Sequence, residues 1–183
     1  MLILEMMIIS LGIYIVSSIT FFTVKYGISP MPTSAEVRKR VFQLIEEKHT
    51  KKPIRTIVDL GSGWGSLAIP LAKAMPHVTI YAYETSHIPY LYCKLRLYFS
   101  PQENLILQKV DFFSVPLQSY DIILCYLYPK AMKKLRSKFE QELNASHIVI
   151  SHTFSVPTWK ANEVWQINDL FRTKIYLYER RLP

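Results

Sequence analysis

A glycine-rich turn inside the stretch TIVDLGSGWGSLAIPLA, residues 56–72, constrains the fold of this 183-residue chain more than any other feature. The run before the glycines is short, apolar and β-branched, as in a buried strand. The run after them has the apolar spacing of a helix. A strand, a glycine turn and a helix in that order bind nucleotide-like ligands in several protein classes. The stretch therefore predicts a nucleotide-like site and leaves its ligand open.

The segments around this turn alternate between strand-like and helix-like patterns. Helical patterns cover residues 66–75, 88–99 and 130–143, and the strand-like runs are residues 56–60, 78–84, 105–111, 121–128 and 147–154. Two last strand-like runs, 163–167 and 173–180, are joined by a short loop and predict an antiparallel hairpin. The alternation predicts an α/β fold with a Rossmann-like, mostly parallel sheet. Ligands of such sheets bind outside the carboxyl ends of the strands.

An uncharged apolar run of 19 residues, 6–24, precedes these segments. Its length is close to the roughly 20 apolar residues with which a helix crosses the hydrocarbon core of a membrane. No basic residue precedes the run and no A-x-A-like cleavage site follows it, which disfavours a cleaved signal peptide. A buried core helix is the other alternative. Lys25 and the basic run 38–40 predict a single-pass helix with the rest of the chain on the cytoplasmic or matrix-like side.

Three parts are therefore predicted along the chain: a transmembrane anchor over residues 1–25, a linker and leading helix over 26–50, and a ligand-binding domain over 51–183. Prolines interrupt residues 26–34, as expected of a linker. Ser34 is the predicted N-cap of the leading helix, and the apolar residues of that helix share one face: Val37, Val41, Leu44 and Ile45.

Composition narrows the possible functions. Half of the residues are apolar, which is enough for one packed domain. Cys93 and Cys125 form no CxxC pair and the five histidines are scattered, so the sequence predicts neither a disulfide scaffold nor a metal site. The net charge of +8 favours nucleic acid or an anionic membrane surface as a partner, and the apolar run favours the membrane.

The spacing of glycines and acids distinguishes between the ligand classes. A dinucleotide turn needs a glycine where Ser66 stands, and no Gly-Lys-Ser/Thr follows as in a P-loop. Asp59 lies two residues before the first glycine, where a carboxylate repels a pyrophosphate and suits an ammonium group. Glu84, at the end of the second strand, can accept hydrogen bonds from ribose hydroxyls. Asp111 and Phe112, after the third strand, suit the amino group and the ring of an adenine.

A ligand with an adenine, a ribose and a charged amino-acid end but no phosphate is S-adenosylmethionine (SAM). The pattern D-x-G-x-G-x-G, followed by acids after the second and third strands, resembles the class I SAM-dependent methyltransferases. SAM is therefore the expected cofactor, and the residues expected to bind it are Asp59, Gly61, Ser62, Gly63, Trp64, Gly65, Glu84, Asp111 and Phe112.

Longer stretches carry a narrower resemblance, which extends over about residues 30–159. They are PMPTSAEVRKRVFQLI, VDLGSGWGSLAI, AYE, SYDIILCYLYPKAMKKLRSKFEQEL and SHTFSVPTW, all following the apolar run. With them the chain resembles the membrane-associated lysine methyltransferases that act on the ATP synthase c subunit and the adenine nucleotide translocase. The resemblance implies lysine N-methylation of a membrane protein.

Individual residues match the motifs of this family. Pro32 and Thr33 match its Pro-Thr element, and the resemblance adds Thr33 to the expected cofactor residues. Its Phe…Pro-x-Trp element is matched by Phe154, Pro157 and Trp159. The chain departs from the family at Trp64, where an acidic or polar residue is usual, and at the TSH that replaces an Asn-Pro after the second strand.

Four aromatic residues are candidates for the acceptor site. Methyl transfer to an amine needs a positioned, uncharged nucleophile in a site that excludes water, and no catalytic base is evident in the sequence. Tyr126 and Tyr128, after the fourth strand, are predicted to position the acceptor. Phe154 and Trp159 are predicted to wall its channel and to hold a methylammonium by cation–π attraction. Packing in the core is the alternative for all four.

The acceptor itself stays open between a lysine of a membrane protein and a lipid-like small molecule. A membrane-tethered SAM-binding module without catalysis is a further alternative. Nucleic acid is disfavoured because YLYP, residues 126–129, stands where an Asn/Asp-Pro-Pro-Tyr/Phe motif is expected. A nicotinamide oxidoreductase is disfavoured by Ser66.

Overall fold

The computed structural model describes residues 1–26 and 31–179. Residues 27–30 of the predicted linker and Arg180 of the last predicted strand lie outside the described residues. The helices are α1 Leu2–Tyr26, α2 Ala35–Lys51, α3 Ala68–Ala74, α4 His87–Phe99 and α5 Pro129–Glu142. The strands are β1 Thr56–Leu60, β2 Thr79–Tyr83, β3 Leu105–Gln108, β4 Ile122–Cys125, β5 Ile148–His152, β6 Glu163–Gln166 and β7 Lys174–Glu179.

These strands form one sheet in the order β3-β2-β1-β4-β5-β7-β6. The first five strands are parallel. Strand β7 is antiparallel to β5 and forms an antiparallel pair with β6. The predicted α/β class, the mostly parallel sheet and the C-terminal antiparallel hairpin are confirmed.

The apolar runs of the central strands are buried on both faces of this sheet, as in α/β proteins generally. Ile57 faces a core cluster that also contains residues of α2, α3 and α4, whereas its neighbour Val58 faces a second cluster with residues of α5. Helix α2 begins after Ser34, whose hydroxyl accepts the N–H of Val37 at 3.3 Å. The face of α2 predicted to be apolar is buried.

Three parallel strands end earlier than their apolar patterns predict. Strand β3 ends at Gln108, β4 at Cys125 and β5 at His152, because the chain turns away from the sheet at these points. The turn after β5 places Thr153 at φ +70, a conformation that is costly for a β-branched residue. The residues beyond these strand ends lie where the site is expected.

Helix α1 is long and apolar enough to cross a membrane. Its candidate span, Leu2–Phe21, has a mean hydropathy of 2.2 and none of it is buried. The helix contacts α4, and the hydroxyl of Tyr14 lies 3.2 Å from Nδ1 of His87.

Candidate functional site

A cavity opens at the carboxyl ends of the parallel strands and encloses about 940 Å³ when its open mouth is included. The strand order places the residues that follow β3, β2, β1, β4 and β5 side by side along this edge. One half of the cavity is therefore formed by residues after β3, β2 and β1, and the other by residues after β4 and β5. We refer to these as the acidic half and the aromatic half.

The glycine loop after β1 forms the floor of the acidic half. Gly61, Gly63 and Gly65 all have positive φ, between +54 and +75, which strains any other residue. The N–H groups of Gly61 and Ser62 both donate to the carbonyl of Tyr83 at 2.9 Å, which joins the loop to the end of β2. A Cβ at Gly61 would lie 2.9 Å from Cδ2 of Leu127, so this glycine permits a close approach of the two strands.

Gly65 has a different role from the two glycines before it. It does not line the cavity. A Cβ at this position would lie 2.7 Å from Cδ1 of Ile69 and 2.9 Å from Sγ of Cys93. The glycine is therefore needed for the packing of the loop against α3 and α4.

Glu84 is buried beside this loop and its carboxylate accepts two backbone hydrogen bonds. Its Oε2 accepts the N–H of Gly63 at 2.7 Å, and its Oε1 accepts the N–H of Ser86 at 2.6 Å. The carboxylate thereby fixes both the glycine loop and the turn that begins α4. Its charge faces a cavity that Asp59 also lines.

Asp59 is buried at the end of β1, with 5% of its surface exposed. Burial, and secondarily the negative charge of Glu84, raise the pKa of its carboxyl to about 7. Two acids so close together favour the binding of a cation between or beside them.

The charge of the cavity is opposite to that of the chain. Among the described residues, its lining contains three acids, Asp59, Glu84 and Asp111, and neither Lys nor Arg, although the chain carries a net charge of +8. A lining of this kind repels phosphate and attracts a ligand that carries ammonium or sulfonium groups.

Ser62 provides a direct indication that a ligand completes the site. Its hydroxyl oxygen is buried and, within the described part of the chain, has no hydrogen-bond partner. Ser62 lines the cavity between Gly61 and Gly63. Since a buried polar atom without a partner costs free energy, a polar ligand group in the cavity fits this position.

The residues after β3 form the far end of the acidic half. Asp111 caps a short 3-10 helix, Phe112–Ser114, by accepting the N–H of Phe113 at 3.0 Å. Phe112 is buried, and the ring of Phe113 packs against it at an angle of 42°, with the ring centroids 4.5 Å apart. Asp111, Phe112 and Phe113 all line the cavity, which gives it an apolar wall with one carboxylate.

The aromatic half contains Tyr126, Tyr128 and His152. The rings of Tyr126 and His152 stack with centroids 4.4 Å apart, and Phe154 lies parallel to Tyr126 at 6.3 Å. Burial lowers the pKa of His152 to about 4 and raises the pKa of Tyr126. Both side chains are therefore uncharged at neutral pH.

The segment before α2 contacts both halves of the cavity. Met31 and Thr33 line it. The N–H of Thr33 donates to Oγ of Ser66 at 2.9 Å, and its hydroxyl lies 3.4 Å from Nε2 of His152. Ser66, which stands in the position of a dinucleotide glycine, thus joins the glycine loop to the segment that follows α1.

The structure brings together ten of the fourteen predicted site residues in this cavity; the four that do not line it are Trp64, Gly65, Phe154 and Trp159. The ring of Trp64 packs edge-on against Tyr92 of α4 at 5.4 Å. Trp159 packs against Phe139 and Tyr178, so its contacts are those of the core alternative. Phe154 reaches the cavity only through its stacking on Tyr126.

The cavity is also lined by residues that the sequence does not single out: Met31, Ser66, Leu67, Thr85, Ser86, Phe113, Leu127, Ala131 and His152. All of them except Ala131 lie within two positions of a predicted site residue. His152 comes two residues before Phe154, and the packing of β5 beside β4 brings its ring to Tyr126.

Comparison with known proteins agrees with this geometry. A family model described as the ANTKMT methyltransferase domain matches residues 59–163, more than half of the chain. A search of curated proteins found no match. An RNA methyltransferase from Salinibacter ruber, crystallised with S-adenosyl-L-homocysteine, is 21% identical with a TM-score of 0.71, covering 84% of this chain and 97% of that one.

A second similar structure is the precorrin-6y C5,15-methyltransferase from Geobacter metallireducens, which is 17% identical with a TM-score of 0.54 and covers 69% of this chain and 65% of that one. At these identities the likeness shows the fold. The fold and the cavity define a class I SAM-dependent methyltransferase, whose cofactor is SAM. The chain belongs to the ANTKMT methyltransferase domain family.

Proposed function

We propose that the protein transfers a methyl group from SAM to a lysine side chain of a membrane protein. The observation that carries this proposal is the membership in the ANTKMT methyltransferase domain family, together with an uncharged aromatic half beside the acidic half of the cavity. The membership supports a lysine acceptor because the family that the sequence resembles methylates lysines of membrane proteins.

The acidic half is proposed to hold the cofactor. Glu84 is proposed to accept hydrogen bonds from ribose hydroxyls, and Asp59 with the glycine loop to hold the ammonium end. Asp111 and Phe112 are proposed to hold the adenine. When bound, SAM supplies a methyl group on a sulfonium sulfur that is already activated for transfer. The remaining task of the protein is to position the acceptor and exclude water.

The aromatic half is proposed to hold the acceptor amine. A lysine reacts only as the neutral amine, and a cavity wall of neutral rings disfavours its charged form through desolvation. Burial keeps His152 uncharged and raises the pKa of Tyr126. Neither side chain therefore carries a charge beside the amine at neutral pH. The Tyr126 hydroxyl remains a hydrogen-bonding group that can orient the nitrogen.

The apolar helix α1 supports a membrane-bound acceptor. Thr33, which lines the cavity, is seven residues beyond Tyr26, the last residue of α1. Seven residues span at most about 25 Å when fully extended. A bilayer that holds α1 therefore keeps the cavity close to its surface, and confinement raises the effective concentration of membrane-bound acceptors.

The test is incubation of the full chain with radiolabelled SAM and membrane fractions, followed by separation of protein from lipid. Label on a protein band, released as methyllysine on hydrolysis, is the expected result. Label in the lipid fraction would replace the proposal by lipid methylation. Binding of SAM without any transfer would leave only a SAM-binding module. Glu84→Ala serves as the inactive control.

A further inference from the structure

Helix α4 exposes an apolar stripe on the face that points away from the sheet. Leu95 is 56% exposed, Tyr98 79% and Phe99 77%, and Leu91 and Tyr92 are nearly half exposed. The residues of α4 that are buried, Pro89 and Cys93, lie on the opposite side of the helix. The stripe is therefore a continuous surface of large apolar side chains.

The spacing of the stripe is that of one helix face. Counting from Leu91, the exposed apolar residues fall at steps of one, four, seven and eight, which at 100° per residue keeps them within one third of the circumference. Lys94 and Arg96 lie on the two sides of this stripe and are exposed. Helix α4 contains no acidic residue. An apolar stripe between basic residues is typical of a helix that lies in a membrane interface.

The position of α1 relates the stripe of α4 to a membrane. Residues 2–13 of α1 are exposed throughout, whereas Ile15, Ser18, Ile19 and Thr23 are partly buried, and α1 contacts α4. The free part of the helix is thus 12 residues long, or about 18 Å at 1.5 Å per residue. The hydrocarbon core of a bilayer is about 30 Å thick. Helix α1 in this arrangement cannot enter a bilayer deeply without bringing the neighbouring surface of α4 to the membrane.

We propose that the exposed stripe of α4 is a membrane-docking surface, with Leu91, Leu95, Tyr98 and Phe99 in the interface and Lys94 and Arg96 beside anionic headgroups. The inference rests on the membrane location in the proposed function and is independent of the acceptor. The turn that begins α4 holds Glu84 through the N–H of Ser86. Docking by α4 therefore fixes the orientation of the cavity relative to the bilayer, which a single helix such as α1 leaves free to rotate.

The test measures the depth of single sites in the full chain. A fluorophore sensitive to polarity is attached to Leu95→Cys or Tyr98→Cys in vesicles of phosphatidylcholine and phosphatidylglycerol. The native Cys93 and Cys125 are buried. Val164→Cys is the control, since Val164 is also apolar and 52% exposed but lies on β6, at the opposite edge of the sheet.

At positions 95 and 98 we expect a blue-shifted emission and quenching by bromine-labelled lipid. Aqueous iodide should quench the fluorophore only at position 164. Equal access of iodide to positions 95 and 164 would overturn the proposal. Protection of position 95 without quenching by lipid, in a chain that sediments as a dimer, would also overturn it in favour of self-association. This readout does not depend on methyl transfer, so a failure of the proposed reaction would leave it interpretable.

A charge in the stripe provides a second readout. Leu95→Glu with Phe99→Glu should leave the affinity for SAM within about twofold and lower methylation of a membrane-bound acceptor by about tenfold or more, since two apolar side chains lose their burial. Val164→Glu should change neither quantity. Unchanged methylation by the stripe variant would show that orientation does not depend on α4.

Discussion

The carboxylate of Glu84 at the end of β2 accepts the N–H of Gly63 in the loop after β1 at 2.7 Å. Its second oxygen accepts the N–H of Ser86 at 2.6 Å, where α4 begins. One side chain thus connects three segments at the edge of the sheet. Glu84 therefore determines the shape of the acidic half as well as part of its negative charge.

Replacement of Glu84 by Gln should weaken SAM binding about tenfold to a hundredfold, because an amide offers one acceptor oxygen where two N–H groups need partners. Isothermal calorimetry measures the affinity, and circular dichroism checks the fold. Glu103→Gln is the control, since Glu103 is exposed before β3. An unchanged affinity would refute the assignment of Glu84 to the ribose.

The stability of the protein should depend on pH through two buried groups with opposite effects. The pKa of Asp59 is raised to about 7, so ionisation of this residue in the unfolded chain lowers stability by up to about 4 kcal/mol as the pH rises from 4 to 7. The pKa of His152 is lowered to about 4, so protonation in the unfolded chain removes up to about 3 kcal/mol as the pH falls from 6.5 to 4.

These two effects nearly cancel between pH 4 and 6.5 in the wild-type protein, and single variants should separate them. Asp59→Asn should gain stability from pH 4 to 6.5 and then level off. His152→Phe, which keeps a ring against Tyr126, should lose stability from pH 4 to 7. Urea unfolding at a series of pH values measures both. Parallel curves for the two variants would contradict the assigned pKa values.

Two of the loop glycines, Gly63 and Gly65, should respond differently to a methyl group. Gly65→Ala should destabilise the fold by about 2–4 kcal/mol, because its Cβ would overlap Ile69 and Cys93 at a positive φ. Gly63→Ala should cost only about 1 kcal/mol, since the atom nearest to the added Cβ would be the Gly61 carbonyl oxygen at 4.0 Å. Its effect should instead fall on SAM affinity, measured by calorimetry on the folded protein. The reverse order of stabilities would contradict the packing role of Gly65.

Phe154 and Trp159 form a matched pair for the acceptor half. Trp159→Leu should lower stability by about 2 kcal/mol through lost contacts with Phe139 and Tyr178 and leave the KM for the acceptor unchanged. Phe154→Leu should raise that KM, because Phe154 stacks on Tyr126. Thermal unfolding and steady-state kinetics separate the two effects. A raised KM for Trp159→Leu would restore Trp159 to the acceptor channel.

Most of the fold could be predicted from the sequence because buried parallel strands are unbroken apolar runs and the amphipathic helices have a clear period. The residues at which the strands end could not be predicted. The run 121–128 remains apolar beyond Cys125, where β4 ends, because Leu127 and Tyr128 line a cavity that is itself largely apolar. Periodicity does not distinguish a wall of the site from a wall of the core.

The position of the three acids at the cavity could be predicted because each lies at or just after the end of a parallel strand, and the carboxyl ends of these strands share one edge of the sheet. The positions of the aromatic residues could not be predicted. Trp159 and Tyr126 are both aromatic residues that follow a strand, yet Trp159 is partly buried against the core and Tyr126 lines the cavity. The exposed stripe of α4 had the same apolar period as a buried face, and only the packing of Pro89 and Cys93 against the sheet reveals which side is free.

The hydrogen bond from Thr33 to Ser66 has a thermodynamic consequence. It joins the segment that follows the apolar helix directly to the loop that lines the acidic half. Any free energy that a bilayer contributes to the position of this segment is therefore coupled to cofactor affinity, and the coupling is reciprocal. We expect the affinity for SAM to differ between detergent and vesicles, and Ser66→Ala to reduce that difference.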